Sequence, residues 1–492
     1  MTGVGPRTAL FLAAAAFLAY GGPLIAELGF YHDDWWFLSV MRFAPDGFAA
    51  RLAALLKDSP SLHFRPLDAP LLAGLYTTFG LAPLGWQAAA LAANLAAAWA
   101  GALVLAEYGA GPRAAALGAV FALSYPNKDA ALFWPMTVII PTSWALFLFA
   151  TLAHLDWVKR GRRASLGASA LLLLLSLSFY DQSLFQFLAW TVLPEAAEGE
   201  ARRRSRAGLA AAAGAAALVL FYRFFVVRQV FGVEYNKQLL LSPVNALLVG
   251  LRALETSFGW RIVKGALLGA RDGLAAAPLT ALAAAALPWG AWKLLPEGPE
   301  AAGARARRLA LFGAALFVLG YLPIALSDYR PTPLTHMNRI NLVPVGGLAL
   351  AGAALAMAGA RRRRWALAGT AACSLFMAAH VGFAGYWAES ARIQASARAL
   401  LLSNLGLAPP DATLLIGWPG FYVGQRAPLL LASWDATGAV RVWTGDRSRE
   451  ADVLRPDVVF VPEGVSISGR VLPYPSVRVL DVEKAMVLTV SP

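Results

Sequence analysis

Two adjacent carboxylates, Asp33 and Asp34, sit in the stretch Tyr31-His32-Asp33-Asp34-Trp35-Trp36, directly after the first long apolar run of the chain. A carboxylate held near a hydroxyl or amine can act as a general base, and apolar neighbours such as Trp35 and Trp36 tune its proton affinity. Ionisable groups at membrane depth are costly unless they are paired or functional. A DD dipeptide alone also occurs in solvated loops, so its company matters. That company includes Arg65, the Tyr125-Pro126-Asn127-Lys128-Asp129 stretch, Tyr180-Asp181, and a late loop carrying Arg330, His336 and Arg339. Guanidinium groups bind phosphate oxygens in bidentate fashion. Arg65, Lys128, Arg330 and Arg339 are therefore candidate phosphate contacts, while Asp33, Asp34 and Asp129 are candidate acids and bases.

The elements that position these residues are read from composition. The chain has 492 residues, 58% hydrophobic and only 14% charged. A soluble domain is about 45–50% apolar and about 25% charged. The sequence is therefore that of an all-α polytopic membrane protein. About eleven apolar runs are present, at 8–26, 86–107, 114–126, 137–156, 164–180, 183–194, 207–224, 273–295, 309–326, 340–360 and 365–387. Short cytoplasmic loops retain Lys and Arg. Arg7, Arg113, Lys159 to Arg163, Arg202 to Arg206, Arg305 to Arg308 and Arg361 to Arg364 all fall on one side of this arrangement. The N-terminus is expected to be cytoplasmic, and the acidic pair and everything after about residue 388 are expected outside. The net charge of +13 is thus chiefly an orientation signal rather than a mark of nucleic-acid binding. A cleaved signal peptide would put the basic clusters out of phase, so none is expected.

Within the first outer loop, Asp46 to Asp58 has apolar residues at helical spacing and Pro66 to Phe79 reads as a second helix, both held at the interface. The loop at 225–272 mixes aromatic and basic residues and is expected to rest partly on headgroups. After residue 388 a polar helix is followed by short β-like runs at 413–416, 458–461 and 477–482. Two domains result: a membrane domain at 1–387 and a small periplasmic α/β domain at 388–492. The single cysteine, Cys373, excludes an intramolecular disulfide and is expected to pack in the core. His32, His63 and His154 are expected to be structural, and Trp134 is the aromatic candidate for stacking on a sugar.

With these residues in place, the first 200 or so positions resemble the integral-membrane glycosyltransferases of the GT-C superfamily, in particular the protein O-mannosyltransferase and aminoarabinose-transferase branch. Asp33-Asp34 is similar to the acidic pair of that family's first outer loop, and Arg65-Pro66-Leu67 to its RPL segment. Tyr125 to Ala130 is similar to HPxxxEA with Tyr for His and Asp for Glu, and Tyr180-Asp181 keeps only the acid of a K-E pair. The resemblance implies inverting transfer of a sugar from a polyprenyl-phosphate donor to a glycan, lipid or protein acceptor. It implies Asp33 as base, with Asp34 assisting or touching a divalent metal, although metal use varies within the superfamily. Phosphate and substrate contacts are then expected from Arg65, Lys128, Tyr180, Asp181, Arg330, His336 and Arg339. High Ala, Gly and Arg usage points to a bacterial inner membrane. No nucleotide-binding glycine loop is present, which weighs against direct use of a nucleotide. The other readings are a lipid-linked-glycan transporter or flippase and a polysaccharide polymerase or ligase. Few charges lie well inside the apolar runs, which disfavours a proton path.

Overall fold

The computed structural model describes the chain except residues 1–3, 194–198, 235–239, 298–302, 358–361, 419, 468 and 492. Tyr235 and Lys237 of the expected headgroup loop, Arg361 of the last basic run, and the ends of the apolar runs 183–194 and 340–360 lie outside the described residues. The fold is mostly helical, with a small strand region at the C-terminal end. Among the described residues, six helical stretches are long and apolar enough to cross a bilayer: Pro83–Glu107, Pro135–Arg160, Gly199–Phe231, Gly303–Ala325, His336–Met357 and Arg363–Ser403. Pro6–Ala19, Pro112–Ser124 and Arg163–Phe179 are shorter apolar helices, and Pro278–Leu294 fills the run expected at 273–295.

The described part of the run expected at 183–194, residues 183–193, is not an α-helix. It forms the 3-10 turns Asp181–Ser183 and Gln186–Val192. Backbone of this kind tolerates apolar surroundings only when it is enclosed by protein. Here Gln182 Nε2 donates to the carbonyls of Ile340 and Gly320, Gln186 Nε2 donates to Leu316 O at 2.9 Å, and Trp190 Nε1 donates to Thr151 Oγ1 at 3.0 Å. The polar side chains that interrupt this run are thus its fastening to neighbouring helices.

Basic groups collect at one end of the bundle. Arg113 donates to Trp292 O at 3.1 Å and Leu295 O at 3.2 Å, Lys159 pairs with Glu107 at 3.0 Å, and Gly161 lies against the guanidinium of Arg204. At the opposite end the first loop folds as helices Asp33–Arg42, Phe48–Asp58 and Asp68–Phe79, close to the spans read from the sequence. Helices Pro243–Phe258 and Trp260–Ala276 come next among the described residues.

The helix Arg362–Ser403 has 42 residues, about 63 Å at 1.5 Å per residue, and it runs without a break through the position expected to divide the two domains. Trp387 packs in the bundle core, while Ala397 and Leu401 pack in the core of the tail. A rigid rod therefore carries the bundle into the tail. The tail sheet has the order Glu450–Val453, Thr413–Gly417, Val477–Asp481, Met486–Thr489. Its first three strands are parallel and the last is antiparallel. Helix Ser433–Thr444 packs on this sheet and also on the first-loop helix Asp33–Arg42.

Small residues set the helix spacing, as expected where van der Waals contact drives association. A Cβ on Gly382 would lie 2.0 Å from Gly269 O and 2.8 Å from Gly273 N. Gly382→Val is expected to force helices Trp260–Ala276 and Arg362–Ser403 apart at a cost of about 1–3 kcal/mol or more, read as a lowered aggregation temperature of the detergent-solubilised protein. Gly385→Ala, whose Cβ would meet Ala276 Cβ at an ordinary 4.0 Å, is the tolerant control.

Candidate functional site

The acidic pair opens helix Asp33–Arg42, and its two members face different surroundings. Asp34 is fully buried. Its Oδ2 accepts from Tyr31 N at 2.8 Å, and its Oδ1 accepts from Trp134 Nε1 at 2.8 Å and Met136 N at 3.3 Å. Burial nevertheless lifts the Asp34 carboxyl well above the ordinary range, because the low-dielectric surroundings penalise the anion more than these donors stabilise it. Asp33 keeps 37% of its side chain exposed and accepts from Trp434 Nε1 at 2.9 Å. It lines a cavity of about 400 Å³ together with Trp36, Phe37, Phe64, Glu234 and Trp434. One acid is therefore an internal brace and the other is open to a ligand.

These contacts do not fit a metal held by the pair. Both Asp34 oxygens already face N–H donors, and no group of three or more His, Cys, Asp or Glu side chains among the described residues is arranged to hold a metal ion.

His32 joins the first loop to the tail. Its backbone has φ 45°, a conformation that costs a non-glycine residue about 1–3 kcal/mol unless the surroundings impose it. The ring is fixed by Asp435 Oδ2, 2.7 Å from Nδ1, and its Nε2 lies 3.5 Å from Asp33 Oδ1. Asp435 is fully buried and also accepts from Leu431 N and Ala432 N, so the acid that caps helix Ser433–Thr444 doubles as the partner of His32. Burial works against the imidazolium, but the Asp435 and Asp33 carboxylates outweigh it and raise the His32 pKa above its usual value. His336 packs on His32 with ring centroids 4.9 Å apart, and its Nδ1 lies 2.9 Å from Tyr422 Oη. The Arg339 guanidinium stacks 5.0 Å over the Trp134 ring, the same ring that holds Asp34.

A second cluster gathers Arg65, Tyr180 and Asp181. The Arg65 guanidinium lies 4.7 Å over the Tyr180 ring and 3.9 Å from Asp68, and Arg223 Nη1 donates to Asp181 at 2.6 Å. Burial opposes ionisation of Asp181, yet Arg223 and Arg65 hold its carboxyl down at about 2. Asp68, buried beside Arg65, is pushed well above the ordinary range by burial. Arg339 acts on both clusters, since its charge is felt at Tyr180 and at His32.

Asp129, Lys128 and Arg330 stand apart from this group. Asp129 is fully buried; it pairs with Arg426 of the tail and accepts from Asn338 Nδ2 at 2.6 Å and Trp387 Nε1 at 3.0 Å. Lys128 is buried with its Nζ donating to Leu123 O at 2.8 Å, and burial lowers its pKa to about 7 despite the neighbouring Asp129. Arg330 is exposed and, among the described residues, bonds to the carbonyls of Ser327 and Tyr329. Arg223, Asp68, Arg426, Trp434 and Asp435 entered the site without being singled out for chemistry in the sequence. Asp435 alone carried a local signal, an acid two residues into a helix that begins with Ser433.

Two outcomes follow. Arg426→Ala leaves the Asp129 carboxylate buried without its cation and is expected to cost about 3–5 kcal/mol, measured as a loss of thermal stability. Because the folded pKa of His32 is raised above 6.5, its pairing with Asp435 contributes fully below that value and is lost as pH rises through the raised one. Hydrogen exchange across 31–36 is therefore expected to quicken as pH rises through that window, beyond the intrinsic change, and the effect is expected to vanish in Asp435→Asn.

No protein-family model matches the chain, and no curated protein matches it. Among solved structures, ArnT from Cupriavidus metallidurans bound to undecaprenyl phosphate is 13% identical, covering 90% of this chain and 89% of that one, with a TM-score of 0.43. The same protein in the apo state is 14% identical over 88% and 87% of the two chains, also with a TM-score of 0.43. Likeness at this level says nothing of activity, which rests on the side chains just described.

Proposed function

We propose that this chain is a membrane glycosyltransferase that moves a sugar from a polyprenyl-phosphate donor to an acceptor at the end of the bundle opposite the basic clusters. The observation that carries this reading is the placement of Asp33. Of the acids Asp33, Asp34, Asp129 and Asp181, it is the one in the wall of the cavity, with Trp36 and Trp434 beside it. Aromatic faces next to an accessible carboxylate suit a sugar and a nucleophilic hydroxyl. Asp33 takes the acceptor proton while the acceptor oxygen forms its bond to the anomeric carbon. The bond from that carbon to the phosphate oxygen breaks, inverting the centre and releasing polyprenyl phosphate. Arg339 and Arg65 meet the charge left on that phosphate, with Tyr180, Asp181 and His336 positioning them, and Arg330 stands at the surface for headgroups. Asp34 braces Trp134, and Asp129 anchors the tail.

In this reading the chain crosses the membrane eleven times, with the run at 183–194, which contains the 3-10 turn Gln186–Val192, counted as one crossing enclosed by the others. The N-terminus is cytoplasmic, the tail is periplasmic, and the membrane is a bacterial inner membrane. The two sides are assigned by the basic end of the bundle.

The test is transfer of labelled sugar from a polyprenyl-phosphate-linked donor by purified protein in lipid. Asp33→Asn is expected to lower kcat by about 10²–10⁴ with unchanged thermal stability. Full activity in a folded Asp33→Asn protein overturns the assignment of the base. Movement of the lipid-linked donor across the bilayer without formation of a glycosidic bond replaces the whole reading by a flippase.

A further inference from the structure

At the basic end of the bundle, far from Asp33, a second cavity of about 320 Å³ opens between helices Pro112–Ser124, Leu342–Met357 and Arg362–Ser403. Ligand pockets range from about 300 to 1,000 Å³. Its walls are apolar and its width comes from missing side chains. A Cβ placed on Gly352 or on Gly369 meets nothing within 4 Å, so both glycines border open space rather than a packed neighbour. Phe121 and Met357 line the cavity, and Leu355 (54% exposed) and Trp365 (53% exposed) lie on its open side.

The rim is charged and uneven. Arg113 is engaged by the carbonyls of Trp292 and Leu295, stacks 4.6 Å over the Trp292 ring, and pairs with Glu297 at 3.5 Å. Arg363 is exposed at the same rim with no side-chain partner among the described residues, and it belongs to the sequence run Arg361 to Arg364. An apolar trough ending in an unneutralised guanidinium is complementary to an amphiphile with a hydrocarbon chain and an anionic head.

We propose that this groove holds one anionic glycerophospholipid, an acyl chain lying along Gly352 and Gly369 and the phosphate meeting Arg363. A long-lived lipid here would fill the gap between the three helices and tie the end of Arg362–Ser403, the rod that reaches the tail domain, to its neighbours. The site does not depend on the proposed transfer reaction, since it lies at the other end of the molecule from Asp33.

The test is native mass spectrometry of the full-length protein released from nanodiscs of palmitoyl-oleoyl phosphatidylglycerol mixed equally with phosphatidylcholine. Wild type is expected to retain one phosphatidylglycerol. A cation near the membrane surface contributes about 1 kcal/mol to binding an anionic lipid, so Arg363→Gln is expected to reduce the preference over phosphatidylcholine about fivefold. Gly352→Leu and Gly369→Leu, which put a side chain into the trough, are expected to lose the bound lipid of either class. Equal retention of the two lipids by wild type, or undiminished retention by both leucine variants, overturns the proposal. So does preferential retention of added undecaprenyl phosphate at this site. Arg363→Gln alters an exposed side chain and keeps the test decisive if a leucine variant fails to fold.

Discussion

A buried carboxylate–guanidinium pair, Asp129 with Arg426, fastens four distant stretches of this chain at one point. Asp129 begins the short helix after the Tyr125–Lys128 turn, Asn338 comes from the late loop, Trp387 from the long C-terminal helix, and Arg426 from the tail. Arg426 also donates to Pro126 O at 3.1 Å and lies 3.7 Å under the Phe383 ring. A charge pair buried this deeply is expensive to form and still more expensive to break from one side. The constraint is therefore mutual: the tail cannot detach without leaving Asp129 bare, and the bundle cannot shift there without exposing Arg426.

The candidate site is built on that fixed joint. The tail is held against the first loop, and from it Trp434 and Asp435 reach Asp33 and His32. The strained backbone at His32 is supported on both sides, by Asp34 accepting from Tyr31 N within the loop and by Asp435 from the tail. Two neighbouring acids thereby acquire opposite roles. Asp34 is enclosed and spends its lone pairs on Trp134, Met136 and Tyr31, whereas Asp33 keeps its face to a cavity walled by Trp36 and Trp434. The difference arises from the 100° step between successive helical residues, which turns one carboxylate inward and the next outward.

Cations are paired or stacked at both ends of the molecule. At the end bearing Asp33, cations are paired or stacked: Arg65 on Tyr180, Arg223 on Asp181, Arg339 on Trp134. Guanidinium groups held by aromatic faces keep N–H donors free for an anionic ligand while losing little side-chain freedom on binding. At the other end Arg113 is stacked on Trp292 and Lys159 is paired with Glu107, while Arg363 and Arg364 are exposed. The long helix Arg362–Ser403 connects the two environments, and its single proline-free run gives it the stiffness to do so.

Hydropathy placed most of the apolar helices and the helices of the first loop, and alternation gave three strands of the tail, at 413–417, 459–461 and 477–481, because burial of apolar surface imposes its period directly on the residue order; the strands at 450–453 and 486–489 were not legible in it. Composition also located Asp33-Asp34 after the first apolar run, and chemistry alone nominated Arg65, Asp181 and Arg339. Other features were invisible in the residue order. The run at 183–194 reads as apolar helix, yet Gln186 within it and Gln182 just before it find carbonyl partners on neighbouring elements, and the described backbone forms 3-10 turns there. Arg426 and Asp435 lie about 300 and 400 positions from Asp129 and His32, and no local period links residues so far apart. Whether a carboxylate ends as an anchor, a brace or an exposed group at a cavity wall depends on which distant groups pack against it. That was decided only when the tail closed on the first loop and divided the acids between buried pairing and open water.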